Sequence, residues 1–344
     1  MRYFYLLLCA ALLSCTPAEP LYNTQSYVFG TLVDISIYGE TEAEARVISS
    51  GIMREFQAIH DRFHAWKPSK LNGINRAVSQ GNAVHVDAEF AHIIQEATAY
   101  SARSQGLFNP AIGHLIETWG FHRDSFTPVD VDANTLKQLM QQKPSMADIV
   151  IQDHQLVSRN PQVKLDFGGY AKGYALDIAL DMLKKEGVEN ALINIGGNVI
   201  ALGKHGSQPW RVGIQHPRKP NAIAALDLQS GWAIGTSGDY QRFFMKNGAR
   251  YCHIIDPRTG KPAQGMQSVT VLIPPQPNAG VLSDIASKPI FISAPEAQAE
   301  MANTLGVDNV MMIDSDGKIR VTAAMQKRLT WLENDVQQRL QILP

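Results

Sequence analysis

The stretch Leu165–Gly203, LDFGGYAKGYALDIALDMLKKEGVENALINIGGNVIALG, contains both kinds of element from which the fold is predicted. A glycine pair, Gly168-Gly169, precedes a segment from about Tyr170 to Glu186 that is predicted to be a helix. Residues Asn190–Gly203 are apolar and rich in β-formers, and Gly196-Gly197 interrupts them. The stretch therefore predicts a helix followed by strand segments that a glycine turn separates.

The rest of the chain alternates strand and helix patterns with no clear repeat. Thr31–Tyr38 alternates apolar and polar residues, as a half-buried strand does. Apolar spacings of three and four predict a helix through Ala45, Ile48, Ile52, Phe56, Ile59 and Phe63. Further predicted helices are Ala88–Arg103, Ala133–Gln142, Ser283–Ile292, Pro295–Leu305 and Met325–Leu340. Strand pairs are predicted at 149–151 with 156–157 and at 310–313 with 319–321, and a turn-rich stretch at 67–80. Strand pairs with interspersed helices favour an α+β fold with largely antiparallel sheets.

Composition excludes several classes of protein. The chain has 344 residues, of which 45% are hydrophobic and 18% charged, which is enough apolar material for a folded core. Because 31 Lys and Arg stand against 32 Asp and Glu, the formal net charge is −1. Since the sequence also contains no long basic run, an ordinary basic nucleic-acid-binding surface is excluded.

The first residues resemble an export signal. A short positive start precedes an apolar run, Tyr3–Leu13, that is too short to span a bilayer and has the length of a signal-peptide core. We interpret residues 1–14 as a lipoprotein signal peptide, Cys15 as the lipidated residue, 15–26 as a tether and 27–344 as the folded domain. An ordinary signal peptide with an incidental cysteine is the alternative. Cys252 is then the one thiol left in the folded domain, so no internal disulfide partner remains.

The turn Asp166–Lys172 is the first segment with chemical content. Its glycines allow close approach of a phosphate, and the start of a helix presents free N–H groups. Lys172 in the first helical turn opposes the helix dipole and so favours an anionic ligand. The spacing matches neither a Walker A loop nor the dinucleotide fingerprint. From these residues alone, a ligand site and a plain glycine turn with a surface lysine are equally supported.

Three later segments have similar alternatives. His253, just before the turn Asp256–Gly260, is either a general base or a structural histidine. Asp284, Ser287 and Lys288 share one helix face, which suits either Mg²⁺ ligation or a helix cap with an i,i+4 ion pair. Gly231–Tyr240 ends a strand in a polar glycine loop, which suits the edge of a ligand site and a plain turn equally. The nucleophile elbow G-x-S-x-G, the zinc helix HExxH and a CxxC pair are absent from the sequence.

Taken in order, these segments resemble the ApbE family of FAD:protein FMN transferases. The resemblance covers nearly all of the chain after residue 27. The segments that carry it are Phe29–Val33, Trp66–Leu71, Gly106–Gly113, Trp119–Phe121, Asp166–Lys172, Leu192–Asn198, Thr236–Tyr240, His253–Gly260 and Asp284–Lys288. It implies an ApbE-like α+β fold and an enzyme that transfers FMN from FAD to a threonine or serine hydroxyl of an acceptor protein through a phosphoester, with release of AMP. It also implies Mg²⁺ as cofactor, since a cation neutralises a pyrophosphate under attack.

The resemblance also implies residue roles. His253 matches the histidine that activates the acceptor hydroxyl. The FAD-contacting positions are Phe29, Trp66, Leu107, Phe108, Asn109, Asp166, Lys172 and Ile255. The metal positions are Gly169, Asp284, Ser287 and Lys288, of which Gly169 would bind through its backbone carbonyl. Three positions depart from the family pattern. Where Lys288 stands, the family usually has a threonine that is a metal ligand. The family often has methionine in place of Phe29 and aspartate in place of Asn109. A protonated lysine is no metal ligand, and its ammonium would occupy part of the cation's place.

Family members are often lipoproteins that face the periplasm, which agrees with the interpretation of Cys15. The expected partner is therefore an exported or membrane protein that carries a flavin-accepting threonine or serine, and the expected location is a lipid-anchored, periplasm-facing one. Nucleic acid is not an expected partner. Two alternatives remain at this point: a lipoprotein that binds FAD without transfer because Lys288 displaces the metal, and a Mg²⁺-dependent FAD pyrophosphatase.

Overall fold

The computed structural model describes residues 20–343, and the predicted signal peptide and Cys15 lie outside them. The strands are β1 (Leu21–Val28), β2 (Thr31–Tyr38), β3 (Val84–His85), β4 (Ile149–Gln152), β5 (Gln155–Ser158), β6 (Asn190–Ile195), β7 (Asn198–Leu202), β8 (Trp210–Gln215), β9 (Ala222–Leu228), β10 (Ala233–Gly238), β11 (Phe243–Lys246), β12 (Ala249–Cys252), β13 (Ile255–Asp256), β14 (Lys261–Pro262), β15 (Met266–Ile273), β16 (Asn309–Asp314), β17 (Ile319–Thr322), β18 (Leu329–Trp331) and β19 (Leu340–Leu343). The helices are α1 (Glu42–Phe63), α2 (Lys70–Ser79), α3 (Ala88–Arg103), α4 (Gly113–Thr118), α5 (Ala133–Gln142), α6 (Ala171–Lys185), α7 (Ala279–Ile292), α8 (Gln298–Leu305) and α9 (Ala323–Gln326).

A nine-stranded sheet organises the fold, in the order β1-β2-β6-β7-β10-β15-β16-β17-β19. Its neighbouring strands pair antiparallel apart from β17 and β19, which are parallel. The predicted α+β class with largely antiparallel sheets is therefore confirmed. Because β1 runs from Leu21 to Val28 and pairs with β2 along its whole length, the sheet begins ahead of the predicted tether boundary at residue 27.

The central strands of the large sheet are covered on both faces, and successive side chains of one strand enter different cores. In β16, Val310 and Met312 belong to the core that includes the helices α1, α3, α6 and α7. Their neighbours Met311 and Ile313 belong to a second core, shared with the three-stranded sheet β18-β9-β8. Each fully buried side chain of this kind contributes about 1.5–3 kcal/mol of burial free energy. None of the helices within residues 20–343 has the length and apolarity that a membrane span requires.

Most predicted elements are present with nearly the predicted bounds. The strand 31–38 and the helices 88–103 and 133–142 have the bounds that were predicted. A capping box at Thr41 begins α1, and the side chain of Asp87 accepts the Phe90 N–H to begin α3. Gly196-Gly197, both with positive φ, form the turn between β6 and β7.

Three predicted segments differ from the structure. The turn-rich stretch 67–80 contains the helix α2, which Ser69 caps and which buries Leu71, Ile74 and Val78. The helix predicted at 325–340 is wrong, because β18 pairs there with β9, and β19 with β17. The helix predicted from Ser283 begins earlier, at Ala279, so the alternative in which residues 283–284 cap it is also wrong.

The crossing of α6 and α7 is a close backbone contact that positions the site. A Cβ added at Gly173 would lie 2.3 Å from the carbonyl oxygen of Gly280 and 2.7 Å from the Cα of Val281. Asp177, one turn further along α6, accepts the N–H groups of Gly280 and Val281, both at 2.8 Å. Because α6 thus binds the free N–H groups at the start of α7, the two helices carry their polar residues to one place.

The turn between β1 and β2 consists of Phe29 and Gly30, whose φ angles are 56° and 69°. Positive φ at both central residues is typical of the hairpin turn that favours Asn-Gly. A bulky residue in this conformation costs free energy and is uncommon outside functional sites. The phenyl ring of Phe29 lies 6.0 Å from that of Phe56 and 5.8 Å from the imidazole of His60.

Candidate active site

One cavity of about 720 Å³ collects most of the residues singled out from the sequence. Those that line it are Phe29, Trp66, Leu107, Phe108, Asn109, Asp166, Gly169, Lys172, His253, Ile255 and Lys288. Asp284 and Ser287 lie outside the lining and are buried, each with 1% of its surface exposed. A cavity of this volume is in the range for cofactor sites.

Lys172 lies in the first turn of α6 and faces the cavity. Its Nζ donates to Oδ1 of Asn198 at 3.1 Å. Burial lowers the pKa of the Lys172 ammonium, and the charges of Lys288 and Arg242 lower it further, against the opposing effect of Asp284. A cation so desolvated gains most from an anionic ligand, and the free N–H groups of the helix start favour the same ligand.

Asp284 and Lys288 form an i,i+4 ion pair inside α7. Nζ of Lys288 lies 2.7 Å from Oδ1 of Asp284 and 2.5 Å from its backbone oxygen, while Oδ2 accepts the N–H of Gly173 at 3.1 Å. Burial opposes ionisation of Asp284, but the Lys288 and Lys172 charges prevail and lower its pKa. The ion pair named as one alternative from the sequence is therefore present.

The oxygens predicted to bind Mg²⁺ do not fit that ion as the side chains lie. The Lys288 ammonium donates to the carboxylate of Asp284, and the hydroxyl of Ser287 lies 2.7 Å from that of Ser237. Gly169 adjoins the Lys288 stem, since a Cβ there would lie 2.9 Å from Cε. Mg²⁺ requires near-octahedral oxygen ligands at about 2.1 Å, and an ammonium supplies none. Within residues 20–343, no three His, Cys, Asp or Glu side chains form a group able to hold a metal ion.

His253 projects from the chain between β12 and β13 into the cavity. Its backbone N–H donates to the carbonyl oxygen of Arg242 at 3.0 Å, and Nδ1 lies 3.3 Å from the same oxygen. A proton on Nδ1 would be donated there, which leaves Nε2 as a free acceptor. Burial, and then the charges of Arg242, Lys172 and Lys288, lower the pKa of His253 to about 3. The imidazole is therefore neutral at physiological pH, and an anionic ligand that neutralises these charges would raise its pKa and strengthen it as a base.

The neighbouring Cys252 points the opposite way, into the core. It is 1% exposed, and burial raises the pKa of its thiol to about 12. Because the thiolate is the reactive form of cysteine, Cys252 has no nucleophilic role beside His253.

An aromatic wall occupies the side of the cavity near α1. The indole of Trp66 lies 5.3 Å from the imidazole of His122, and Nζ of Lys164 lies 4.3 Å above the Trp66 ring. The rings of His60 and His64, 5.2 Å apart, also line the cavity. Flat aromatic surfaces of this kind stack on the ring systems of ligands.

Asp166 and Asn109 shape the loops on either side of the cavity. Oδ1 of Asp166 accepts the Gly168 N–H at 2.7 Å, and burial raises the pKa of this carboxyl. The amide of Asn109 donates to the Pro144 oxygen at 2.9 Å and accepts the Ala111 N–H at 3.1 Å. Both arms of Asn109 are thus engaged within the protein, so in this structure its side chain holds the loop in place.

Sequence reasoning missed Arg242, which also lines the cavity. Its guanidinium lies against the turn at Gly30, where an added Cβ would be 2.5 Å from Nη2. The guanidinium carbon also lies 5.6 Å from the ring centroid of Phe126. Arg242 stands two residues after the polar glycine loop that ends at Tyr240. The sequence feature that could have indicated Arg242 is its position as a basic residue directly after that loop.

The cavity combines the cations Lys172 and Arg242 with the aromatic rings of Trp66, His60 and His64. The sequence profile of the ApbE family matches residues 29–311. A protein of Rhodobacter capsulatus named FAD:protein FMN transferase is 39% identical over 318 residues, which are 92% of this chain and 60% of that protein. A Vibrio cholerae protein of the same name is 29% identical over 237 residues, 67% of this chain and 70% of that protein.

Solved structures give the same result for the fold. The crystal structure of the ApbE protein from Thermotoga maritima has a TM-score of 0.81 and 29% identity, and covers 90% of this chain and 99% of its own. The flavin transferase ApbE from Vibrio cholerae has a TM-score of 0.78 at 23% identity and shows the fold alone. The chain belongs to the ApbE family, as the sequence predicted.

Removing the Lys172 charge is expected to weaken FAD binding. Lys172→Gln keeps a polar group beside Asn198 but loses the ammonium, and we expect the Kd for FAD to rise by about 10- to 100-fold, the range for a charged hydrogen bond. Quenching of flavin fluorescence measures this Kd. Lys185→Gln, in the last turn of the same helix and exposed, is the control and should leave the Kd unchanged. Equal Kd values for the two variants would contradict a phosphate contact at Lys172.

Proposed function

We propose that this protein transfers FMN from FAD to a hydroxyl group of an acceptor protein and releases AMP. The arrangement that carries the proposal is the neutral imidazole of His253 in one cavity with the ammonium groups of Lys172 and Lys288. The base and the cations are what phosphoryl transfer from an anionic pyrophosphate requires. The names of the Rhodobacter capsulatus and Vibrio cholerae relatives support the same activity.

In the proposed reaction, the acceptor hydroxyl oxygen attacks the phosphorus that carries the riboflavin part of FAD. A P–O bond forms to that oxygen, and the bond from this phosphorus to the bridging oxygen breaks. His253 takes the hydroxyl proton through Nε2, and AMP leaves with the bridging oxygen and its electron pair. Lys172 stabilises the charge on the phosphates. The aromatic wall at Trp66 holds the flavin or the adenine by stacking.

The magnesium implied by the family resemblance enters no step of this reaction. Gly169, Asp284 and Ser287 remain the residues predicted to hold it, but Lys288 occupies the carboxylate that would bind the ion. We also propose that the protein is anchored by a lipid at Cys15 and faces the periplasm, where exported or membrane proteins are its acceptors. The support for this location is the signal-like sequence before Cys15.

A single assay tests the proposed activity. The purified chain without residues 1–19 is incubated with FAD and an acceptor protein that carries a flavin-accepting threonine, and protein-bound flavin is followed by in-gel fluorescence. We expect a fluorescent acceptor and an equal amount of AMP. Free FMN with AMP and no labelled acceptor would identify a pyrophosphatase instead. Intact FAD that co-purifies with the chain, without AMP, would identify a carrier.

The pH dependence of transfer is a separate expectation. Because the pKa of His253 is lowered to about 3, the free enzyme keeps a neutral base well below the ordinary histidine pKa of about 6.5. Provided that FAD binding itself holds, kcat/KM for FAD should stay level as pH falls from 8 to about 5. It should decrease only as the imidazole gains a proton closer to pH 3. A decrease centred near 6.5 would show that His253 titrates as an ordinary histidine.

A further inference from the structure

We propose that the Lys288 ammonium takes the place of a divalent cation in this protein, so that FAD is bound and cleaved without a bound metal ion. The inference concerns the same cavity and rests on the proposed function. It follows from what surrounds Nζ of Lys288, from the charges that remain for the ligand, and from the hydrogen-bonding capacity of an ammonium.

The surroundings of Nζ are those expected of a cation site. Nζ contacts both the backbone oxygen and the Oδ1 of Asp284, whose side chain is 1% exposed. The stem of Lys288 runs along the backbone of Gly169, which has no side chain to block it. Lys288 itself keeps 18% of its side chain exposed and lines the cavity. The ammonium is therefore bound by protein oxygens on one side and open to a ligand on the other.

Binding of a divalent metal ion next to the Lys288 ammonium is unfavourable. Both carboxylate oxygens of Asp284 already have partners, the Lys288 ammonium and the Gly173 N–H. Ser287 shares its hydroxyl with Ser237 and also lies 3.1 Å from the Asp284 backbone oxygen. A divalent ion would have to displace these contacts while next to a positive charge, and like charges at such distances repel strongly.

The charge available to FAD is sufficient without a metal ion. Lys288 and Asp284 neutralise one another. The other charged residues that line the cavity are the cations Lys67, Arg123, Lys172 and Arg242 and the carboxyl groups Asp124 and Asp166, an excess of two positive charges that matches the dianionic pyrophosphate. An ammonium has three N–H donors, and Asp284 accepts two of those of Lys288. The third remains for a phosphate oxygen. This donor replaces the metal–oxygen bond, and it strengthens as charge develops on the leaving phosphate of AMP.

Affinity for FAD and for a probe metal ion tests the inference without any requirement for activity. The chain is freed of metals with EDTA, its Kd for FAD is measured by flavin fluorescence with EDTA and with Mg²⁺, and Mn²⁺ binding to the FAD-loaded chain is followed by electron paramagnetic resonance. For the wild type we expect Kd values within about two-fold of each other and no tightly bound Mn²⁺. A stoichiometric Mn²⁺ ion, or FAD binding that needs Mg²⁺, would overturn the inference.

Lys288→Thr is the informative variant, because threonine offers a hydroxyl ligand and removes the ammonium. We expect its Kd for FAD in EDTA to rise by about 10- to 100-fold, in line with the loss of a charged hydrogen bond, and to recover when Mg²⁺ is added. Lys318→Thr, in the exposed turn between β16 and β17, is the matched control and should show neither effect. If Lys288→Thr fails to fold, the wild-type Mn²⁺ measurement still decides.

The transfer assay separates this inference from the proposed function. FMN transfer in EDTA at the rate seen with Mg²⁺ supports both. Transfer that occurs only with Mg²⁺ retains the function and overturns the inference. If no transfer occurs under either condition, the proposed function fails, and the FAD and Mn²⁺ measurements still establish or refute the cation role of Lys288.

Discussion

His253→Ala is expected to slow FMN transfer by about 100- to 10,000-fold, the usual contribution of general acid–base catalysis. The loss should appear in kcat, with the Kd for FAD nearly unchanged, because the imidazole accepts the acceptor's proton and bears no charge that would attract a phosphate. The fold should persist, since the backbone N–H of residue 253 still donates to the Arg242 oxygen in the variant. Single-turnover transfer to the acceptor protein, with FAD already bound, measures the rate.

His253→Asn distinguishes a base from a positioning residue. The asparagine amide can donate to the Arg242 oxygen much as Nδ1 does at 3.3 Å, but it accepts no proton. We expect it to be as slow as His253→Ala. Recovery of the wild-type rate in His253→Asn would assign His253 to holding the Arg242 segment in place, and proton acceptance would have to be sought elsewhere in the cavity.

Gly173→Ala is expected to reduce the free energy of unfolding by about 3 kcal/mol, at the upper end of the usual cost of overpacking. The added methyl group would meet the backbone of Gly280 and Val281, which no rotamer change can move aside. The start of α7 must therefore shift, and Asp284 and Lys288 shift with it. Urea unfolding measures the free energy of unfolding. Under native conditions we also expect a higher Kd for FAD in the variant than in the wild type.

Gly73→Ala is the control, because Gly73 lies in α2 with no atom within 4 Å of an added Cβ. Replacing an exposed helical glycine by alanine should stabilise the protein by about 0.5–1 kcal/mol. The two substitutions are chemically identical, so a difference in sign isolates the helix contact. An unchanged unfolding midpoint in Gly173→Ala would mean that α6 and α7 are able to separate without cost.

The fold was predictable where local patterns determine it. Apolar periodicity located α1, and the glycine pair at 196–197 located the hairpin. α2 was not predicted, because its few apolar residues are spread among polar ones, and the stretch 67–80 was predicted to be rich in turns. Ser69 was nevertheless a capping signal for a helix. The strands after residue 328 depend on partners far away in sequence, β9 and β17, and no local pattern reveals such pairing.

The site was predictable to a different degree. The resemblance brought together residues that do line one cavity, and the i,i+4 spacing of Asp284 and Lys288 predicted their ion pair. The burial of Asp284 and Ser287 behind the lining, and the orientation of Arg242 over the turn at Gly30, depend on tertiary packing. The roles of these residues in binding and catalysis remain predictions that the variants above test.

The inward orientation of Cys252 has a practical consequence for such experiments. It is the only cysteine among residues 20–343, and its buried, protonated thiol should resist maleimide reagents under native conditions. The truncated chain therefore offers an unreactive background for a single introduced cysteine. A fluorophore attached through Gln241→Cys, beside the cavity mouth, would report ligand entry without the natural flavin signal.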